Sequence, residues 1–180
     1  MPPESTSRSG GPGPTVSTAN GNPSPSTRRA RPDDLAELVR LDSLARDHLG
    51  PLRGGELYLL RDARPVPPDT SFMDDMSDAG HLVLIGMVAG APVGFAIAAL
   101  HPLRDGYKLA DIAEIFVEAE ARDVGVGEAL MDAITEWARQ NDCDGIDARA
   151  LPGDRSTKNF FETFGLVARA ITVHKDLRDP

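Results

Sequence analysis

The sequence predicts a mixed α/β (α+β) domain: a central mixed β-sheet flanked by helices and preceded by a disordered tail. Short apolar runs between turn residues indicate strands, apolar residues at helical spacing indicate helices, and one strand leads directly into a helix near residue 125. Pro, Gly, Ser and Thr fill 20 of the first 27 positions. Such a segment buries too little apolar surface to become ordered. We therefore place the tail at 1–27 and the folded domain at 28–180.

The first third of the domain is the least regular part of the pattern. A short strand is expected at Arg28–Pro32, and an aspartate then caps a helix whose apolar residues recur as far as Ala45. Gly and Pro interrupt residues 46–80. The acidic end of this region, Asp69–Gly80, is predicted to be a loop.

The longest uncharged stretch, Leu82–Leu100, is about long enough to span a bilayer. Its middle, Ala89–Pro92, is a turn sequence, and no cluster of positive charge lies beside it. Two buried strands, Leu82–Val88 and Val93–Leu100, explain the stretch better than one helix. We therefore expect no membrane segment.

The second half of the chain alternates strands and helices. Periodicity and helix-ending residues predict the elements in this order: strand Ala110–Val117, helix Gly125–Gln140, strand Gly145–Leu151, helix Arg155–Phe164 and strand Leu166–Val173.

Charge and cysteine content exclude several classes of protein. The chain has 19 Lys and Arg against 28 Asp and Glu, a net charge of −9, whereas nucleic-acid binding depends on an excess of basic residues. The single cysteine, Cys143, excludes an intrachain disulfide and a Cys-rich zinc site. The histidines have no metal-site spacing. With no secretory signal evident, we expect a cytoplasmic protein that binds neither metal nor nucleic acid.

One short motif, from Arg122 to Gly127, carries chemistry. It follows a strand and opens an amphipathic helix, whose first backbone N–H groups lack intrahelical acceptors and favour an anion. Glycines there allow a ligand to approach the backbone. The motif suits a pyrophosphate, although a simple strand-to-helix turn explains it as well. It is neither a P-loop nor a dinucleotide fingerprint.

A second motif adds context to the first. Residues Leu151–Leu166 end in Phe-Phe-Glu-Thr-Phe-Gly-Leu, and together with the Arg-x-x-Gly-x-Gly of 122–127 they resemble the signatures of the GNAT superfamily of N-acetyltransferases. The resemblance covers nearly all of 28–180. It implies acetyl-CoA as cosubstrate and direct acetyl transfer to an amine in a ternary complex.

The resemblance also implies a set of cofactor-binding residues. Two of them depart from the family pattern: Asp123 and Val124 stand where many relatives have Gly and a basic residue. A third departure is Phe161, where many relatives have a tyrosine that reprotonates the CoA thiolate; phenylalanine has no proton to give. The implied set is Phe116, Val117, Arg122, Asp123, Val124, Gly125, Val126, Gly127, Glu128 and Phe161.

Two carboxylates on the strand before this motif are candidates for the base that deprotonates the amine. Glu114 is the first choice, because its apolar neighbours would raise its pKa towards a useful value. Asp111 is the second choice. In a regular strand the two face opposite sides of the sheet, so only one would serve the acceptor. A solvated edge carboxylate is the alternative reading of Glu114.

Two functions from different classes remain open at this point. The first is an N-acetyltransferase acting on a small-molecule or peptide amine, as a monomer or homodimer. The second is a non-catalytic CoA-binding module of the same fold, serving as a sensor or partner subunit. Asp123 and Phe161 are the observations that keep the second open.

Overall fold

Five strands form one sheet in the order β1-β2-β3-β4-β5 in the computed structural model, which describes residues 24–178. Neighbours are antiparallel from β1 to β4, whereas β4 and β5 run parallel. The strands are β1 Pro25–Arg29, β2 His81–Val88, β3 Ala91–Pro102, β4 Lys108–Val117 and β5 Gly145–Ala148.

Between residues 24 and 178, five α-helices accompany the sheet. They are α1 Leu35–Leu49, α2 Gly55–Arg61, α3 Asp69–Ser77, α4 Val126–Gln140 and α5 Arg155–Thr163, with 3-10 turns at Pro32–Asp34, Arg104–Gly106 and Ala119–Val124. The predicted mixed sheet flanked by helices is thereby confirmed.

The helices cover the two faces of the sheet separately. Side chains of α4, with Phe161 of α5, pack on the face formed by alternate residues such as Leu84 and Ala96. Helices α1 and α3 cover the opposite face, where Phe72 packs edge-on against Phe95 with ring centroids 6.1 Å apart. The two-residue alternation of the strands thus produces two apolar cores, one on each side.

The hairpin prediction for Leu82–Leu100 is confirmed, since this stretch forms β2 and β3. Among the helices between residues 24 and 178, none is both long enough and apolar enough to cross a bilayer.

Two structural expectations are wrong. Asp69–Gly80 is mostly the helix α3 and not a loop, because Phe72 on one side of this acidic segment is completely buried and fixes it against the sheet. Leu166–Val173 forms no strand.

Two boundaries also differ from the expected ones. Strand β1 begins at Pro25, so the last residues of the segment 1–27 belong to the sheet, while residues 1–23 lie outside the described part of the chain. Strand β5 ends at Ala148 and not at Leu151.

Candidate active site

A β-bulge in β4 sets the geometry of the candidate site. Ile97 and Ala98 are neighbours on β3, yet they lie opposite Glu114 and Ile112 on β4, which leaves Ala113 as an extra residue. A bulge of this kind bends the strand and changes the direction of the side chains around it.

The bulge corrects the expectation that Asp111 and Glu114 face opposite sides. Ile112 and Ile115 both pack on the α4 side, although they are three positions apart. Glu114 lines cavities on the other side, and alternation from Ile112 places Asp111 on that side as well. The two-residue alternation of side chains between the faces does not hold along β4, because the extra residue shifts it by one position.

The Glu114 side chain lies between two openings and is only 17% exposed. On one side is a small cavity of about 30 Å³, where Asp42, Arg46 and Tyr58 line the wall with it. On the other side is a cleft of about 290 Å³. Burial raises the pKa of Glu114, and the positive charge of Arg64 partly opposes that rise. The Glu114 carboxyl is therefore a weaker acid than a solvated glutamate.

Arg64 is the buried cation beside this carboxylate, with a side chain only 6% exposed. Its Nε lies 3.4 Å from Glu114 Oε1 and makes no hydrogen bond within the part of the chain that the structure describes. Its Nη1 donates to Asp75 Oδ2 and Ser71 Oγ, both at 2.7 Å, and its guanidinium lies 4.2 Å from the centroid of the Phe72 ring. Arg64 thus connects α3 to the floor of the cleft.

The network extends from Arg64 to the surface through Asp75. Asp75 Oδ1 is 2.7 Å from Nδ1 of His81, which begins β2 and is partly exposed. Both residues line the cleft, together with Asp62. Three carboxylates, those of Asp62, Asp75 and Glu114, therefore line the cleft with the buried Arg64. The exposed Arg61 donates from Nε to Asp62 Oδ2 at 3.0 Å.

Neither Arg64 nor the cleft was found from the sequence. Arg64 belongs to the Gly- and Pro-interrupted region 46–80, where no periodicity indicates an inward-facing residue. The only local signal in this region is that Phe72 and Asp75 are three residues apart, which places them on one side of a helix such as α3.

Asp111, the second candidate base, is placed differently from Glu114. Its Oδ2 lies 3.2 Å from Arg149 Nη2, and its side chain is about one-third exposed. It lines neither the small cavity nor the cleft. The structure therefore gives Glu114 the buried position and Asp111 a surface ion pair.

A further opening, separate from the small cavity and the cleft, lies along the edge of β4 that faces β5. The two strands pair only from Leu109 to Ile112 on β4, opposite Gly145 to Ala148 on β5. Beyond that point, within the described residues, no strand pairs with this edge of β4, so its last residues, which include Phe116 and Val117, leave main-chain groups available.

After β4 the chain makes the 3-10 turn Ala119–Val124 and then begins α4. Gly125 has φ +87° and occupies the N-cap, a conformation that glycine adopts without strain. Among residues 24–178, no side chain caps the helix. The N–H groups of Val126, Gly127 and Glu128 therefore have no intrahelical acceptor and favour an anion.

The residues before the helix take less prominent positions. Arg122 is exposed, and its Nε donates to the carbonyl oxygen of Val117 at 3.2 Å, which ties the turn to the end of β4. Asp123 is also exposed, and Val124 is half-buried against the core beneath α4. The exposed Asp123 carboxylate is solvated, so its effect on a nearby anion is weakened.

Packing fixes the positions of the two aromatic candidates, Phe116 and Phe161. A Cβ at Gly127 would lie 3.1 Å from the Phe160 ring, so this glycine lets α5 approach α4 closely. Phe161 is 6% exposed and belongs to the core under α4. Phe116 packs on the opposite face near Phe95, with ring centroids 6.5 Å apart.

A family model described as the acetyltransferase (GNAT) family matches residues 46–166. The match covers more than half of the chain, and the chain belongs to this family of acetyltransferases. The resemblance seen in the sequence is confirmed. Among curated proteins, no sequence matches this chain.

Solved structures show the same fold at low sequence identity. A transcriptional regulator from Bacillus halodurans is 19% identical, with a TM-score of 0.66 over 85% of this chain and 99% of that chain. An acetyltransferase from Trypanosoma brucei is 21% identical, with a TM-score of 0.60 over 85% and 99%. An aminoglycoside acetyltransferase from an uncultured soil metagenomic sample, in complex with sisomicin, is 16% identical, with a TM-score of 0.63 over 84% and 94%.

The charge of Arg64 is expected to control the titration of Glu114. Arg64→Gln removes the cation that opposes the effect of burial, so the pKa of Glu114 should rise above its value in the unaltered protein. NMR titration of the Glu114 side-chain carboxyl carbon measures the change. The matched control is Arg104→Gln, at an exposed arginine of the 3-10 turn before β4, which should leave that pKa unchanged. An unchanged or lower pKa in Arg64→Gln would show that the two groups are not coupled.

Proposed function

We propose that the protein is an N-acetyltransferase that moves an acetyl group from acetyl-CoA to a primary amine of a small molecule or peptide. Membership of the family establishes acetyl transfer in general. The observation that carries the finer proposal is the buried Glu114 carboxylate, which stands on β4 at the floor of a cleft of about 290 Å³. Amide formation needs such a base, because an alkylammonium must lose a proton before it attacks.

The residues present fit the cosubstrate at two places. The uncapped N–H groups of Val126, Gly127 and Glu128 suit the pyrophosphate, as helix N-termini commonly do for phosphate groups. The open edge of β4 around Phe116 and Val117 offers main-chain N–H groups for the thioester oxygen. Acetyl-CoA supplies the acetyl group as an activated thioester; the chain supplies orientation and the base.

The acceptor is proposed to bind in the cleft. Asp62 and Asp75 line it with Glu114, and the carboxylates outnumber the single buried guanidinium of Arg64. A positively charged amine is attracted to such a site. The ammonium group then lies near a carboxylate able to take up its proton.

Glu114 is proposed to be the group that accepts this proton. Burial raises its pKa, so it is a stronger base than a solvated glutamate, and the positive charge of Arg64 opposes part of that rise. His81, which is partly exposed, lines the same cleft, and the cleft gives the proton a path to water. Phe161 donates no proton, and a thiolate is stable enough to leave with water as its acid.

Replacing the proposed base tests this assignment. Glu114→Gln should lower kcat/KM at least about 100-fold and abolish the acidic limb of its pH profile, because the amide accepts no proton. The assay is release of CoA thiol from acetyl-CoA with a panel of polyamines, aminoglycosides, amino acids and peptides. Asp111→Asn, on the same strand face but outside the cleft, is the matched control and should retain activity.

Two outcomes would count against the proposal. An unaltered pH profile in Glu114→Gln would remove Glu114 as the base. If the unaltered protein bound acetyl-CoA yet released no thiol with any amine, the non-catalytic binding module would be the better description.

A matched pair of glycine variants tests the pyrophosphate site. Gly125 and Gly90 both have positive φ, +87° and +84°, so an alanine at either position causes similar backbone strain. Only Gly125 opens α4. Gly125→Ala should weaken acetyl-CoA binding by calorimetry about tenfold, equivalent to roughly 1.4 kcal/mol, whereas Gly90→Ala should leave it unchanged. Equal dissociation constants for the two variants would place the pyrophosphate elsewhere.

A further inference from the structure

Arg40 joins α1 to the place where the ladder between β3 and β4 ends. Its Nη1 donates to Glu118 Oε1 at 2.5 Å, and its Nη2 donates to the carbonyl oxygen of Pro92 at 3.1 Å. Its Nε donates to Glu37 Oε2 at 2.8 Å, one turn earlier on α1. Each nitrogen of the guanidinium therefore has an acceptor, and the three bonds fix the orientation of the group.

The two acceptors outside α1 lie on either side of a backbone hydrogen bond. Pro92 precedes Val93 on β3, and the carbonyl oxygen of Val93 accepts the N–H of Glu118 at 2.9 Å. Glu118 directly follows the last residue of β4 and is the N-cap of the 3-10 turn Ala119–Val124. Arg40 thus holds the end of β4 and the start of β3 against α1.

The residue before Glu118 presents its backbone to the opposite side. Neighbouring N–H groups of a strand point in opposite directions. Because the Glu118 N–H points to β3, the Val117 N–H points to the edge that β5 leaves open beyond Ile112. The carbonyl oxygen of Val117 accepts a hydrogen bond from Arg122, at 3.2 Å from its Nε. The Val117 N–H is the donor of the open edge that lies next to the residue held by Arg40.

We propose that Arg40 is a positioning residue, which fixes the Val117 N–H where it donates to the thioester oxygen of acetyl-CoA. This role rests on the proposed function, which puts that oxygen at the open edge of β4. A donor polarises a carbonyl group only at hydrogen-bond distance and in good alignment. The open edge has no neighbouring strand to align Val117, so the alignment depends on what holds the other edge.

Helix α1 provides a rigid support for this contact. Its Leu38 and Leu41 are completely buried in the core on that side of the sheet, so the helix cannot shift easily. Arg40 itself is 43% exposed, and an ion pair at such a position contributes little to the free energy of unfolding. Alanine is also the best helix former. Arg40→Ala should therefore fold normally while it releases the end of β4.

Infrared difference spectroscopy tests the position of the Val117 N–H. The probe is acetyl-CoA with carbon-13 at the acetyl carbonyl, bound to the full chain without an amine. A hydrogen bond lowers the stretching frequency of this carbonyl, so the band of the unaltered complex should lie below that of free acetyl-CoA. In Arg40→Ala this downward shift should fall to about half or less. Calorimetry should give the same dissociation constant to within about twofold, because the start of α4 is unchanged.

A second variant and a control separate positioning from a general loss of stability. Glu118→Ala should reduce the band shift as much as Arg40→Ala does, and the double variant should reduce it no further, because all three lack the same contact. The control is Arg28→Ala. It removes an ion pair in which Arg28 donates to both oxygens of Asp34, at 2.6 and 2.7 Å, on β1 at the opposite end of the sheet from β5. The control should keep the full band shift.

Three results would overturn the role of Arg40. They are a full band shift in Arg40→Ala, no band shift in the unaltered complex, and an equal reduction in Arg28→Ala. An unaltered protein that binds no acetyl-CoA would give a different result, since it would refute the proposed function on which this role rests.

Discussion

Unequal pairing along the two edges of β4 is the constraint on which the rest of the site depends. Hydrogen bonds to β3 follow β4 along its whole length, whereas those to β5 stop at Ile112. The second half of the strand is thereby held firmly on one side and left accessible on the other. The 3-10 turn Ala119–Val124 then joins the end of β4 to the uncapped start of α4.

The bulge at Ala113 adds a second consequence of the same strand. It leaves Ile112 and Ile115 in the core under α4 while Glu114 lies over the opposite core, against α1 and α3. Without the extra residue, Ile112 and Ile115 would lie on opposite faces of the sheet, and they could not both pack under α4. The apolar packing therefore fixes the carboxylate at the edge of the cleft.

Arg64 stabilises this arrangement at an electrostatic cost. A buried guanidinium is tolerable only when carboxylates and hydrogen bonds compensate its lost hydration, and here Asp75, Glu114 and Ser71 do so. The Phe72 ring adds a cation–π contact. Arg64, which holds α3 on the sheet, also opposes the rise that burial produces in the pKa of Glu114, so the structure and the acid–base chemistry share one cluster.

Local patterns predicted the elements whose contacts are local. The sequence predicted the hairpin β2–β3, the helix α4 and the glycine-containing turn before it, because turn chemistry and helical periodicity depend on neighbouring residues. Helix α3 was missed because one buried phenylalanine outweighs its acidic composition. The bulge, the inward position of Arg64 and the unpaired state of Leu166–Val173 depend on partners distant in the sequence, and no local pattern specifies them.

Amide hydrogen exchange with and without acetyl-CoA tests the central claim most directly, namely that the accessible edge of β4 and the uncapped start of α4 form one cosubstrate site. Acetyl-CoA should slow exchange at Val126–Glu128 and in the last residues of β4, 115–117, because both groups of N–H donors gain acceptors. The 3-10 turn at Arg104–Gly106, remote from both, should not change. Protection confined to other parts of the chain, or no change at Val126–Glu128, would contradict the account.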